Sequence, residues 1–478
     1  MAENAPLFRV ATHPRPPKRS STTRNLLLAG LAAAAVFGAT FHVVKHPTPL
    51  THLATPTFKA YNGSDFCDST YQESGYIPLP HKVDDNYFYW FFESRSDPAA
   101  DPLVLWLTGG PGSSSLLALL TENGPCSISD NITTVRNPYS WTNHANVIWL
   151  DQPTGVGFSY STSPKDDDHD EVDVGRNIYA FLQTFLASHP KYAKNPFFIT
   201  GESYGGHYVP SAAHYILTQQ LLPRNHGPRI NLRGISIGNG LTDPVTQIPL
   251  SAALAVTNAY NLSLVPPSEL TQLLEDAVHA GVLAQQCGSD RQSCIDALTL
   301  WDDRVIGAMT QSSRNPYDIR EFCDPDCFDE THNAAQFLNS PRVQATLGVH
   351  KPWVMTNETT YADFSADFMQ DYVSFVPELL AHGVRVLVYA GDADLMCNWV
   401  GNEAWTKALE WPGKLAFNAA VVAPLVVRGT SHGEVRSSGH LSFVRIYEAG
   451  HMVPTNQPAA SLALIERFFN NLPLDKDV

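Results

Sequence analysis

Three short stretches hold residue types that together could run acyl chemistry. They are a serine in "GESYG" (Gly201 to Gly205), two acids in "GDAD" (Gly391 to Asp394) and a histidine in "GHMVP" (Gly450 to Pro454). A serine hydroxyl is a weak nucleophile until a base takes its proton, and the base must be oriented by an acid. A bare Gly-x-Ser-x-Gly is more often chance or a plain turn. Here it follows the apolar run "PFFIT" and precedes the helical stretch "GHYVPSAAHYILTQQLL". That is the context of a nucleophile elbow, where a strand turns abruptly into a helix and side chains beside the serine would not fit. The helix N-terminus then favours negative charge developing at Ser203.

The order serine, acid, histidine fits the same scaffold. Asp392 and Asp394 follow the strand-like "VRVLVYAG", and His451 follows "SFVRIYEAG". Spacing does not choose between the two acids. One histidine among 18 would ordinarily be a surface or packing residue. Its place after the last strand makes His451 the best base, whereas His432 and His440 lie in a polar hairpin-like stretch and read as structural. An oxyanion needs two backbone N–H donors. One is expected from Tyr204 and the other from the glycine-rich "LWLTGGPGSSSL" (Gly109, Gly110, Pro111, Gly112), which lacks the Gly-Lys-Ser/Thr ending of a phosphate loop. The acidic run 166–171 lacks the glycine and closing glutamate of a calcium loop and reads as a solvated helix start. The cysteines lack zinc spacing. No metal or cofactor is expected.

The elements that must position these residues are legible as an alternation. Apolar runs from Asn86, Leu103, Asn146, Pro196, Leu232, Val384 and Ser442 read as strands, several buried on both faces. Between them lie helical patterns, one placing Val174, Ile178, Phe181, Leu182 and Phe185 on a single face. This predicts an α/β fold with a mostly parallel sheet flanked by helices. Residues 249–348 break the rhythm, look helical and hold four of the seven cysteines. They are expected to form an insertion, or cap, between core parts 46–248 and 349–478.

The net charge of -16 argues against nucleic acid as a partner. Basic residues concentrate in segment 1–45, where Arg9, Arg15, Lys18, Arg19, Arg24 and Lys45 face Glu3 alone. Within it, 26–44 is apolar and uncharged. It reads as a membrane anchor or a long secretory signal, the anchor favoured by the long polar lead and the missing cleavage site. Either delivers the body to the secretory lumen. Glycosylation sequons at Asn62, Asn131, Asn261 and Asn357 agree. So do the seven cysteines, which suit three disulfides and one free thiol. Cys287, Cys294, Cys323 and Cys327 could pair locally or in a nest (Cys287–Cys327, Cys294–Cys323). The nest is favoured as a staple of helical hairpins, leaving Cys67 for Cys126.

Taken together, "WLTGGPGSSS", "DQPTGVGFSY", "GESYGGHYVP", "GNG", "YAGDADLMCNW" and "GHMVP" resemble the serine carboxypeptidases, acid-active exopeptidases on an α/β-hydrolase fold. The resemblance runs from about Phe58 to Phe469 and is similar to fungal secreted or vacuolar members. It implies Ser203 as nucleophile, Asp394 as the triad acid, His451 as base, and Gly110 and Tyr204 as oxyanion donors. It further implies that Glu122, Glu202 and the Gly109 backbone bind the substrate's terminal carboxylate, and that Cys397 is a free thiol lining the pocket. Two buried carboxyls close together cannot both ionise, so one stays protonated and can donate to an anionic peptide end. Thr108 stands where the family usually has an asparagine on that carboxylate, and Ser113 replaces a cysteine that in many members enters a disulfide. The expected activity is release of single residues from peptide C-termini through an acyl-enzyme. An acyltransferase and a lumenal binding protein are the rival readings.

Overall fold

The computed structural model describes residues 53–61, 66–223, 227–323, 327 and 329–476. The apolar segment 26–44 and Asn62 lie outside them. Among the described residues, no helix is long and apolar enough to cross a membrane.

Among the described residues, eleven strands form one sheet. In chain order they are β1 (Thr57–Tyr61), β2 (Gln72–Pro78), β3 (Asn86–Phe92), β4 (Leu103–Leu107), β5 (Asn146–Leu150) and β6 (Phe197–Glu202). The remainder are β7 (Leu232–Gly238), β8 (Arg385–Gly391), β9 (Ala423–Val427), β10 (Thr430–Ser438) and β11 (Leu441–Ile446). Their spatial order is β1-β2-β3-β5-β4-β6-β7-β8-β11-β10-β9. The middle strands, from β5 across to β11, run parallel, and the strands flanking them pair antiparallel.

The parallel strands are apolar throughout because both faces are covered. Every residue of β4 and β5 is buried. One face packs on helices α2 (Glu171–Ser188) and α3 (Gly205–Leu221) and on helices of the insertion. Asp170 caps α2, accepting from the N–H groups of Val172 and Asp173, and the expected stripe Val174, Ile178, Phe181, Leu182 and Phe185 is fully buried. The opposite face packs on α1 (Leu116–Thr121) and the C-terminal helix Pro458–Phe469. Because β5 lies on one side of β4 and β6 on the other, the chain reverses its winding direction between β4 and β6. A crevice opens at the carboxyl ends of strands at such a point.

Between β7 and β8 the described chain gives no strand to this sheet. It forms helices, among them Leu270–Gln286 and Arg291–Leu300, and a separate two-stranded ribbon (Arg314–Asn315 with Asp318–Phe322). The cysteines here pair locally, correcting the expected nest: Cys287 bonds Cys294, and Cys323 bonds Cys327. The first pair follows from the tight helix-to-helix turn, which sets Cys287 at one helix end against Cys294 near the start of the next, with Cα atoms 4.7 Å apart. Cys67 joins Cys126 as expected, spanning 59 residues, and Cys397 is free. Removing the Cys67–Cys126 crosslink by Cys67→Ala/Cys126→Ala is expected to cost about 2–5 kcal/mol, measurable by urea unfolding.

A second correction concerns the acidic run. Asp166 and Asp168 are buried, not solvated. Asp166 accepts from the N–H groups of Val83 and Asp84, while Asp168 pairs with Lys82 at 2.5 Å and accepts from Asn177. The run pins the loop before β3. Among the sequons, Asn131 and Asn261 are exposed. Asn357 is not a free acceptor: it is half-buried, caps helix Glu358–Asp363 and donates its amide to the Gly155 carbonyl at 3.1 Å.

Candidate active site

The elbow forms where β6 meets α3. Glu202 closes the strand, Gly205 opens the helix, and Ser203 between them has φ +62°. A non-glycine residue holds such a conformation only when its surroundings fix it, and such strain gathers at functional sites. The flanking glycines show why. A Cβ on Gly201 would come within 2.6 Å of the Leu107 carbonyl oxygen, and one on Gly205 within 2.9 Å of the same atom. On the facing loop, a Cβ on Gly109 would sit 2.3 Å from the Tyr204 nitrogen and 2.7 Å from Ser203 Cβ. The loop after β4 therefore lies directly against the elbow. The N–H groups of Gly110 and Tyr204 take no backbone partner among the described residues.

His451 Nδ1 lies 2.8 Å from Asp394 Oδ2, and both side chains are buried. Asp394 is held on every side. Its Oδ2 also accepts from Asn239 Nδ2 at 2.8 Å and the Cys397 N–H at 3.1 Å, and its Oδ1 from the Met396 N–H at 3.0 Å. The other imidazole nitrogen, Nε2, has no hydrogen-bond partner among the described residues. It belongs to a side chain lining the same cavity as Ser203. Asp392, the competing acid, points elsewhere: it accepts from the Tyr260 hydroxyl and the Glu448 N–H and pairs with Arg445 at 3.2 Å. His432 lies in β10 and His440 in the turn that follows, away from this cavity.

The cavity is also lined by Thr108, Gly109, Gly110, Glu122 and Glu202. Glu122 ends α1 and Glu202 ends β6. Burial first, and then the Glu122 carboxyl with which it shares a hydrogen bond, hold the Glu202 carboxyl well above the usual range. Its neutral form, an O–H donor, therefore persists above the usual carboxylate range. Thr108 Oγ1 accepts from the Trp106 indole at 2.9 Å, so its hydroxyl proton is left to point elsewhere. Ser113, noted above as a departure from the family pattern, meets Thr356 through hydroxyls 2.9 Å apart. Burial, then Asp394 and Glu202, push the Cys397 thiol up, which keeps it uncharged.

A family model described as serine carboxypeptidase matches residues 63–471. The chain belongs to the serine carboxypeptidase family. It is 40% identical over 417 residues to "Serine carboxypeptidase-like" of Oryza sativa subsp. japonica, covering 85% of this chain and 94% of that protein. It is 42% identical over 410 residues to "Carboxypeptidase Y homolog A" of Arthroderma otae, covering 83% and 74%. Among solved structures it is similar to Kex1, a prohormone-processing carboxypeptidase from Saccharomyces cerevisiae. The TM-score is 0.75 at 25% identity, over 86% of this chain and 94% of that one. The protein is thus a serine-type carboxypeptidase on an α/β-hydrolase fold, and the family fits the site: one cavity is lined by a serine hydroxyl, an imidazole held by a carboxylate and two buried carboxyls.

Two residues of this site were not singled out beforehand. Asn239, at the end of β7 with φ +39°, bridges the site by donating to Asp394 and accepting from the Gly391 N–H at 3.1 Å. Its signal was present in "GNG", an amide side chain at the carboxyl end of a buried strand. Tyr317, from the ribbon of the insertion, accepts the His451 N–H at its carbonyl (2.7 Å) and sets its ring 5.2 Å from the imidazole. Nothing in its local sequence marks it. Asn239→Ala is expected to lower kcat about 10- to 100-fold with KM little changed, since a hydrogen bond to a charged group contributes about 1.5–3 kcal/mol. Steady-state kinetics on a blocked dipeptide check this.

Proposed function

We propose that Ser203 Oγ attacks the carbonyl of a peptide's last amide bond while His451 Nε2 takes its proton. His451 then gives that proton to the leaving amino acid, and Asp394 holds the imidazole in the tautomer both steps need. The Gly110 and Tyr204 N–H groups stabilise the tetrahedral oxyanion. Water, activated by the same histidine, releases the shortened peptide from Ser203.

The observation that carries this reading is the buried pair of carboxyls, Glu202 and Glu122, in the cavity that Ser203 and His451 line, with Glu202 held well above the usual range by burial and by Glu122. A site for any acyl ester needs the triad alone. A buried O–H donor next to the nucleophile suits a substrate whose reacting bond lies one residue from a carboxylate, and so makes the enzyme an exopeptidase. The Gly109 backbone and the Thr108 hydroxyl complete the carboxylate site; the threonine is shorter than an asparagine amide and gives one donor there. The relatives named as carboxypeptidases support hydrolysis over acyl transfer.

The test is a pair of blocked peptides that differ only at the C-terminus. The free acid is expected to lose its last residue at least about 100-fold faster in kcat/KM than the amide, because the amide leaves buried polar groups unmatched. Equal rates would contradict the carboxylate site.

The body is proposed to work in the lumen of the secretory pathway, secreted or vacuolar, or held to a membrane through segment 26–44. The Cys67–Cys126 disulfide and the exposed sequons at Asn131 and Asn261 support an oxidising, glycosylating compartment.

A further inference from the structure

Tyr204 contributes its backbone to the proposed oxyanion hole, yet its side chain enters a second polar cluster beneath the site. The phenol is buried and donates to Asp367 Oδ2 at 2.5 Å. The Tyr372 hydroxyl donates to Oδ1 of the same carboxyl. Asp367 itself is buried, in a turn closed by its N–H to the Phe364 carbonyl at 2.8 Å.

The ring of Tyr204 has little freedom. His207 stacks on it at 4.4 Å, Tyr208 meets it edge-on at 5.1 Å, and Phe368 lies 5.2 Å away. Tyr208 in turn accepts from the Gly112 N–H at 3.3 Å, so the elbow helix also grips the loop that carries Gly110. The carboxyl of Glu171 is buried beside Asp367, and burial first, then Asp367, hold it well above the usual range. Two adjacent buried acids would be an unfavourable arrangement if they did nothing but fill space. Their geometry fixes the direction of the Tyr204 side chain, and a rotation of that residue would carry its N–H off the oxyanion position. Misplacing such a donor by a fraction of an ångström weakens it where charge develops, in the transition state.

We propose that Asp367 is a positioning residue for the oxyanion hole, acting through the phenol of Tyr204 to hold the Tyr204 N–H in place. This rests on the reading of Ser203 as nucleophile and of Tyr204 as an oxyanion donor. No side chain of the cluster touches substrate. Its effect is confined to the transition state, whereas the carboxylate site acts on ground-state binding as well.

The test uses the full enzyme with Tyr204→Phe, which removes one hydroxyl, and Asp367→Ala. Each is expected to lower kcat about 10- to 100-fold on both a blocked dipeptide and its ester. The double variant should lose no more than the worse single one, because both changes break one connection. Affinity for a peptide aldehyde, whose tetrahedral oxygen occupies the hole, should fall by the same factor as kcat. Affinity for an N-blocked amino acid, a product held by the carboxylate site, should stay within about twofold. Unchanged kcat in a folded Tyr204→Phe enzyme overturns the proposal. So does a loss of product affinity equal to the loss of kcat, which would indicate general distortion. If Asp367→Ala does not fold, Tyr204→Phe decides alone. Activity surviving in Ser203→Ala would instead remove the underlying reading of the site, an outcome distinct from a silent Tyr204→Phe.

Discussion

Ser203→Ala is expected to lower turnover of a blocked dipeptide by on the order of 10⁶, as knockouts of the nucleophile in serine triads do. The fold should survive, because Ser203 is half-buried and faces the cavity. The strained φ of +62° would be kept by alanine at similar cost, since the surrounding glycines and the Leu107 carbonyl impose it, not the hydroxyl. Binding of a peptide product should therefore remain measurable while chemistry is lost. His451→Ala is expected to cost about as much, since the two act as a unit. The pairing of lost turnover with retained product affinity is the check, by single-turnover kinetics and calorimetry. A Ser203→Ala enzyme that is merely a few-fold slower, with contamination excluded, would refute the nucleophile.

The second large effect is in pH. Burial and Glu122 raise the Glu202 carboxyl, so its neutral form persists above the usual carboxylate range and is lost as pH rises through the raised value. In the proposed carboxylate site the protonated group would donate to the substrate's anionic end, and the ionised group would set a negative charge against it. Peptide kcat/KM is therefore expected to fall as pH rises toward neutral and beyond, mainly through KM. An ester blocked at its C-terminus has no carboxylate to repel and should fall less. Glu202→Gln, which keeps a donor at every pH, should flatten the peptide profile, and Glu122→Gln should move the fall to lower pH by removing a group that raises Glu202. Parallel loss of peptide and ester activity with pH would contradict the assigned role of the two acids. The effect is on activity. It need not track unfolding, which melting curves across the same pH range would show.

The strands nearest the chemistry were legible because they are apolar throughout and end in the motif residues. β4, β5 and β6 needed no tertiary knowledge. β2 was not legible: Gln72, Glu73 and Ser74 are polar yet buried, and their partners come from elsewhere. Glu73 bonds Tyr71, Tyr89 and His189, and Gln72 accepts from the Trp90 indole. β10 was hidden in the same way, its polar face reading as a loop. The order of serine, acid and histidine pointed to the triad, but choosing Asp394 over Asp392 on physical grounds required seeing Arg445 and Tyr260 claim Asp392. Asn239, Tyr317 and Asp367 act on residues far away in the chain, so no local pattern could reveal them. The disulfide pairing failed for a related reason: it depends on how tightly two helices are joined, and composition says little about that.

Exopeptidase action through Ser203 is tested most directly by following an N-blocked peptide of mixed sequence by mass spectrometry in mildly acidic buffer, with wild-type and Ser203→Ala enzyme in parallel. A ladder of products shortened one residue at a time from the C-terminus is expected with the wild type and none with Ser203→Ala. Internal fragments, or an equal ladder from the serine variant, would contradict it.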